Sequence, residues 1–209
     1  MDFKENSKEI MIVLIASIIL SLIVSFKNTG TLLFSFISFI IIISSNIISK
    51  KIGGYVFETD VRTKFWSWYQ YGFRKDAHFK TPIPMAWLPL ILALFSKGLF
   101  WWLAILEFDV SPKTERVSRK HGLYRFTQVT EWHMGVIAII GIITNIVIGI
   151  FGYLIGFEMF AKLSIYYAMW SIIPISSLDG SKILFSSRGL WITIFLISLI
   201  FFGWGLAIA

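Results

Sequence analysis

The chain contains no cysteine among its 209 residues, which excludes disulfides and cysteine-metal sites. Charged residues are also scarce at 15%, whereas a soluble domain carries about 25%. Apolar residues make up 56% of the chain, and the mean hydropathy is +0.76. These values predict one membrane domain over residues 1–209, with no separate soluble domain.

The charges that are present are mostly basic, and the net charge is +7. The basic residues lie in short loops between apolar runs. That arrangement suits anionic lipid headgroups better than nucleic acid. We therefore expect membrane lipids as partners and no nucleic acid.

Five apolar runs approach the roughly 20 residues that a membrane-spanning helix needs. They cover residues 10–26, 31–48, 135–157, 159–175 and 190–208. The first run is longer than the apolar part of a secretion signal, and no small-residue cleavage site follows it, so we expect a retained span. The predicted fold class is an all-α polytopic membrane protein with five to six transmembrane helices.

A sixth apolar segment, residues 85–106, is interrupted by Ser96, Lys97 and Gly98. It is either an extra, kinked span or a re-entrant hairpin that enters and leaves on one side. Cytoplasmic loops are enriched in Lys and Arg. A crossing would leave ten such residues on one side, eight on the other and Lys97 inside the membrane, whereas a hairpin leaves seventeen against two. The count favours a hairpin in a multi-pass protein of the cell membrane, with the N-terminus and the middle loops cytoplasmic.

The long connecting segments predict short β structure at the membrane surface. Residues 53–82 mix aromatic side chains with charges, as is typical of the headgroup level. Residues 107–130 place a charged run between two β-prone stretches, 108–110 and 123–129. We expect these two stretches to pair as a hairpin.

Asp179 is the ionisable residue that stands out, because charged groups near apolar spans are rare and often functional. It follows Pro174 and Leu178 at the end of the fourth run and precedes Gly180. Taken alone, this pattern is explained equally well by a helix break with a capping aspartate.

A second pattern lies in the third run, where Gly141, Asn145 and Gly149 share one helix face at spacings of four residues. Small residues let helices approach closely, and an amide can hydrogen-bond to a neighbouring helix. Ordinary helix packing accounts well for the glycines and less well for Asn145.

Together the two patterns resemble the site-2 protease family of intramembrane zinc metalloproteases, over about residues 31–190. Residues 141–145 resemble its glycine-proline-x-x-asparagine motif, with Ile142 in place of proline. Residues 171–180 resemble its asparagine-x-x-proline and leucine-aspartate-glycine motif, with Ser171 in place of asparagine. The resemblance implies structural or substrate-facing roles for Gly141, Asn145, Pro174, Leu178, Asp179 and Gly180.

The family's zinc is bound by the two histidines of an HExxH motif and a later aspartate, and the glutamate is the general base. The chain has no HExxH. By resemblance, Ser45 and Ser49 stand at the histidine positions and Asn46 at the glutamate, which leaves Asp179 as the only retained ligand. Hydroxyls and an amide bind zinc poorly, and an amide is no general base. We therefore expect no catalytic residues, no zinc and no other cofactor, and a hydrogen-bonded polar network among these positions, Asn145 and Asp179.

No other catalytic signature replaces the missing one. The three histidines, His78, His121 and His133, are interpreted as interfacial polar residues. A rhomboid-type serine site lacks its glycine-x-serine motif and its membrane histidine. A presenilin-type site would need a second intramembrane aspartate beside Asp179.

The leading hypothesis is a catalytically inactive, site-2-protease-like membrane protein that binds or scaffolds transmembrane partners. Binding would use side-by-side helix packing and edge pairing by the loop strands. One alternative is an intramembrane metalloprotease whose site is completed by a partner chain. Another is a transport or channel subunit that uses the polar interior around Asn145 and Asp179.

Overall fold

The computed structural model describes residues 3–70, 78–113 and 129–208. Its helices are α1 (Phe3–Val24), α2 (Leu32–Val56), α3 (Trp87–Phe95), α4 (Glu131–Leu154), α5 (Glu158–Ser171), α6 (Asp179–Ser186) and α7 (Arg188–Ala207). Its strands are β1 (Thr59–Phe65), β2 (Ser67–Gln70), β3 (His78–Pro84) and β4 (Leu106–Pro112). The predicted helical class agrees with this mostly helical architecture.

Four helical stretches in the described ranges are long and apolar enough to cross a membrane. They are Ser7–Val24, Thr29–Val56, Glu131–Leu154 and Arg188–Ala207. The predicted count of five to six spans is therefore too high for this part of the chain. Apolar helices of this length suggest a membrane-associated protein.

The predicted span over residues 159–175 is not among the four candidate spans. Its helix, α5, has only 14 residues, which rise about 21 Å against a hydrocarbon core of about 30 Å. The helix stops before Pro174, and Ser176 has a positive φ of 51°. The apolar residues 172, 173 and 175 lengthen the hydropathy run but lie beyond the helix.

Helices α1 and α2 form an antiparallel hairpin, joined through a 3-10 turn at Thr29–Thr31. Asn28 starts this turn, since its side chain accepts a hydrogen bond from the Gly30 amide at 3.1 Å. Helix α2 continues to Val56, well past the predicted end at residue 48. Lys50 and Lys51 are consequently helical residues and not loop residues.

Residues 85–105 form a hairpin whose two ends meet at Trp66. The Met85 amide donates to the Trp66 carbonyl at 3.0 Å, and the Trp66 amide donates to the Ile105 carbonyl at 2.9 Å. The turn uses positive φ at Lys97 and Gly98, and a Cβ on Gly98 would lie 3.0 Å from Phe26. Only the first arm is helical, as α3. The segment thus runs out to the α1–α2 connection and returns, which is the hairpin shape expected from the Lys and Arg count.

The strands form two antiparallel pairs. β1 pairs with β4 from Thr59 opposite Pro112 to Phe65 opposite Leu106, and β2 pairs with β3. The β-prone stretch 108–110 does lie in a strand, but that strand pairs with β1. Its expected partner, residues 123–129, lies outside the described residues except for residue 129.

Apolar packing divides into three clusters. The first joins α1, α2, α3 and α5 around Leu20, Phe39 and Ile43. The second joins α4, α6 and α7 to the β1–β4 pair around Ile142 and Phe108. The third surrounds Trp66, whose ring stacks on Trp102 with centroids 6.0 Å apart. The buried polar residues include Asn46 and Lys50 of α2, Asn145 of α4 and Asp179 of α6.

Candidate functional site

The candidate site lies where α2 packs closely against α4. Asn46 and Lys50 lie one turn apart on α2, and both are buried. A Cβ on Gly141 of α4 would lie 2.5 Å from the Lys50 Cε and 2.9 Å from the Asn46 Nδ2. The glycine therefore makes the space in which these two side chains lie.

Lys50 forms an ion pair with Asp179, the first residue of α6. The Lys50 Nζ lies 2.5 Å from the Asp179 Oδ2, and the two side chains are 8% and 4% exposed. Asp179 also lies at the helix N-terminus, where the backbone dipole favours a negative charge. The partners are 129 residues apart in sequence, so the pair ties the first half of the chain to the second.

A second lysine completes a charged cluster around Phe108 of β4. The Lys182 Nζ lies 3.6 Å from the centroid of the Phe108 ring and donates to the Phe108 carbonyl, and the Lys50 Nζ lies 4.7 Å from the same centroid. Burial lowers the pKa of Lys182 to about 8; Asp179 opposes the shift and Lys50 adds to it. Two cations thus face one carboxylate at the centre of the cluster.

Glu107, which directly precedes Phe108 in β4, supplies a second buried carboxylate. Its Oε1 lies 3.2 Å from the Nζ of Lys64 on β1, which also lies 2.7 Å from the Asp109 Oδ2. Burial raises the pKa of Glu107, and the positive charge of Lys64 opposes that shift. The charged residues of the β1–β4 pair therefore extend from the Lys182 side of the cluster toward the exposed end of Lys64.

The side-chain hydrogen-bond network expected among the degenerate motif positions does not form. Ser49 donates to the Asn46 carbonyl of its own helix at 2.9 Å, and Ser45 is only half-buried. Within the described part of the chain, the Asn145 amide, the Asn46 Nδ2 and the Asp179 Oδ1 have no hydrogen-bond partner although they are buried. In place of that network, the Lys50 ammonium contacts Asp179 through Oδ2.

The six residues predicted as structural or substrate-facing mostly lie inside the protein. Pro174 is exposed. The other five are buried, namely Gly141, Asn145, Leu178, Asp179 and Gly180. A Cβ on Gly180 would lie 1.9 Å from the Ile172 carbonyl oxygen, so this glycine permits α6 to pack on the end of α5. Their positions serve contacts between helices of this chain.

Of the three histidines, only the side chain of His133 is described, and it lies at the start of α4. His133 forms a capping box with Thr130 at the start of α4, where the Thr130 Oγ1 lies 2.5 Å from the His133 Nδ1. His121 lies outside the described residues, and the side chain of His78 does as well. Among the described residues, no three His, Asp or Glu side chains group closely enough to hold a metal ion.

Sequence reasoning missed Lys50, Lys182 and Phe108. Lys50 follows Asn46 by four residues, so the two share a helix face, and this spacing was the available signal. The predicted second span ends at residue 48, two residues before Lys50, whereas α2 ends at Val56. No local sequence pattern predicts the contact between Lys182 and Phe108.

No family model, curated protein or solved structure matches the chain.

Proposed function

We propose that the protein is a non-catalytic, site-2-protease-like membrane protein that binds a transmembrane helix of a partner. The observation that carries this proposal is the buried ion pair between Lys50 and Asp179. By the motif resemblance, Asp179 corresponds to a zinc ligand. An ammonium group bound to that carboxylate supplies the positive charge that a metal ion would supply in an active member.

The donor set around Asp179 does not fit zinc. A zinc site in a metalloprotease needs three protein ligands, drawn from nitrogen, sulfur and carboxylate donors. Here one Asp179 oxygen is bound to Lys50, and the Ser49 hydroxyl is bound to its own helix backbone. Zinc would have to displace Lys50 and leave an ammonium buried without its carboxylate, which is costly.

The outer face of α7 is the proposed binding surface for the partner helix. Only 17% of this span is buried inside the protein, against 33% to 44% for the other three candidate spans. Ile192, Leu196 and Ile200 are 50%, 51% and 71% exposed and repeat at helical spacing. A Cβ on Gly203, near the same stripe, would meet nothing within 4 Å, so a second backbone can approach there.

Metal analysis tests the catalytic part of the proposal. Protein purified without chelators and then offered zinc is expected to hold far less than one zinc per chain. Asp179→Asn should not change that value. One zinc per chain in the wild type, lost in Asp179→Asn, would contradict the proposal and favour a metalloprotease whose site a partner chain completes.

Site-specific crosslinking tests the binding part, and the absence of native cysteine makes it clean. A benzophenone maleimide on Ile200→Cys is expected to give one discrete adduct in native membranes. The matched control is Ile41→Cys on α2, since Ile41 is 47% exposed. Adding Gly203→Leu to the Ile200→Cys chain should remove the adduct.

Two crosslinking results would contradict this assignment. Identical patterns from positions 200 and 41 would show only general lipid-exposed labelling. An adduct at twice the chain mass of 24.0 kDa would show that the partner is a second copy of the same protein.

A further inference from the structure

An apolar groove lies between α1 and α3 at the end of the molecule opposite the Lys50–Asp179 pair. Its volume is about 480 Å³, within the roughly 300 to 1,000 Å³ of typical ligand pockets. Its walls include Leu22, Phe26, Leu32, Trp87, Ile91 and Leu94. The polar side chains that line it are Ser25 and Thr29, both near the α1–α2 connection.

Two lysines lie at that same end of the groove. Lys27 directly follows Phe26, and Lys97 follows the last residues of α3. The turn that carries Lys97 packs on the α1–α2 connection, since a Cβ on Gly98 would lie 3.3 Å from the Lys27 Cγ. Both lysines are exposed, and neither makes an ion pair with another described residue. The groove thus has an apolar body and a cationic end.

We propose that this groove binds an anionic phospholipid, with an acyl chain between α1 and α3 and the phosphate beside Lys27 and Lys97. Lys27 and Lys97 carry positive charge without an ion-pair partner among the described residues, which favours a phosphate group at this end of the groove over a protein helix.

Lipid titration followed by native mass spectrometry tests the proposal on the purified protein, with phosphatidylglycerol and phosphatidylcholine as probes. A lysine near an anionic headgroup contributes about a fivefold gain in affinity, so two contribute about 30-fold. Wild type is therefore expected to prefer phosphatidylglycerol by about 30-fold. Lys27→Gln with Lys97→Gln should abolish that preference and leave phosphatidylcholine binding unchanged.

Two further variants separate the cationic end from the apolar body. Ile91→Trp places a bulky ring on a wall residue that is 46% exposed, and it should weaken binding of both lipids. The charge control is Lys8→Gln with Lys80→Gln, because both lysines are exposed and Lys8 lies at the opposite end of α1. This control should retain the preference of the wild type. Thermal unfolding checks that each variant is folded.

Three outcomes would overturn the proposal. Equal losses from the two double-lysine variants would mean general surface charge. Glycerol phosphate that binds as tightly as the intact lipid would place the affinity at the lysines alone. Unchanged lipid binding in Ile91→Trp, together with loss of the partner adduct at position 200, would make the groove a protein-binding surface. Failure of lipid binding alone leaves the proposed function of α7 intact, because that rests on the crosslink.

Discussion

The ion pair between Lys50 and Asp179 supports a quantitative prediction through a double-mutant cycle. At 2.5 Å separation, the attraction is about 7 kcal/mol if the effective dielectric constant is about 20. Desolvation costs several kcal/mol per buried ion and offsets much of that attraction. The pair as a whole is therefore worth little, whereas removing one partner should cost about 3 to 5 kcal/mol.

The two single variants should differ in a definite order. Lys50→Met leaves Asp179 with the nearby charge of Lys182, whereas Asp179→Asn leaves two ammonium groups around Phe108. Asp179→Asn should consequently be the more destabilising change. The double variant Lys50→Met with Asp179→Asn should recover much of the loss, because both charges of the pair are gone.

Reversible unfolding in mixed micelles, followed by the fluorescence of the nine tryptophans, measures these free energies. Lys51→Met is the matched control. Lys51 pairs with Glu9, but its side chain is 39% exposed, so its loss should cost about 1 kcal/mol or less. Two results would contradict a buried, coupled pair: a loss of stability in Lys50→Met no larger than in Lys51→Met, or two single losses that simply add in the double variant.

Two further predictions concern the same cluster. The folded-state pKa of Lys182, about 8, lies below its ordinary value of 10.5. Between these two pH values the unfolded chain binds more protons than the folded chain. The free energy of unfolding should therefore rise with pH in this range, by up to about 3 kcal/mol. Lys182→Met should flatten that rise in thermal unfolding scans from pH 7 to 10, and an unchanged slope would be evidence against the buried ammonium. Gly141→Ala should destabilise by about 1 to 3 kcal/mol, because its Cβ would displace Lys50 and Asn46. Gly203→Ala, which adds a Cβ into open space, should be neutral or stabilise by up to about 1 kcal/mol; equal effects at the two glycines would argue against the close approach of α2 and α4.

Much of the helical framework could be predicted from apolar run length. The runs at 135–157 and 190–208 agree with α4 and α7 within about four residues, and the run at 10–26 corresponds to α1, which begins seven residues earlier at Phe3. Hydropathy failed at residues 159–175, since it does not register where a helix stops while apolar residues continue. It also failed at residue 48, because a lysine was taken as the end of a span. A lysine can lie within an apolar helix when its aliphatic stem packs on apolar groups and its ammonium has a partner, so the helix continues past it.

The site was predictable only in part. The spacing of Gly141 and Asn145 placed them on one helix face, and Asp179 stood out as a rare charge near an apolar run. Neither pattern predicts that Asp179 contacts the Lys50 ammonium. That depends on how α2 packs against α4 and α6, which no local spacing specifies.

The sequence by itself predicted the membrane-type composition, most of the long apolar helices and the interruption of the apolar segment at residues 96–98, and it contains no HExxH motif. These features follow from local chemistry, namely which residues are apolar, which turn residues interrupt the apolar runs, and which motif is absent. The tertiary structure alone decided that Lys50 is buried against Asp179, that β4 pairs with β1, and that Lys182 packs on Phe108. Each of these joins residues at least 41 positions apart, and Lys50 and Asp179 are 129 apart. Such contacts are selected by the burial of whole helix faces, which places a charge beside its partner only once the helices have packed.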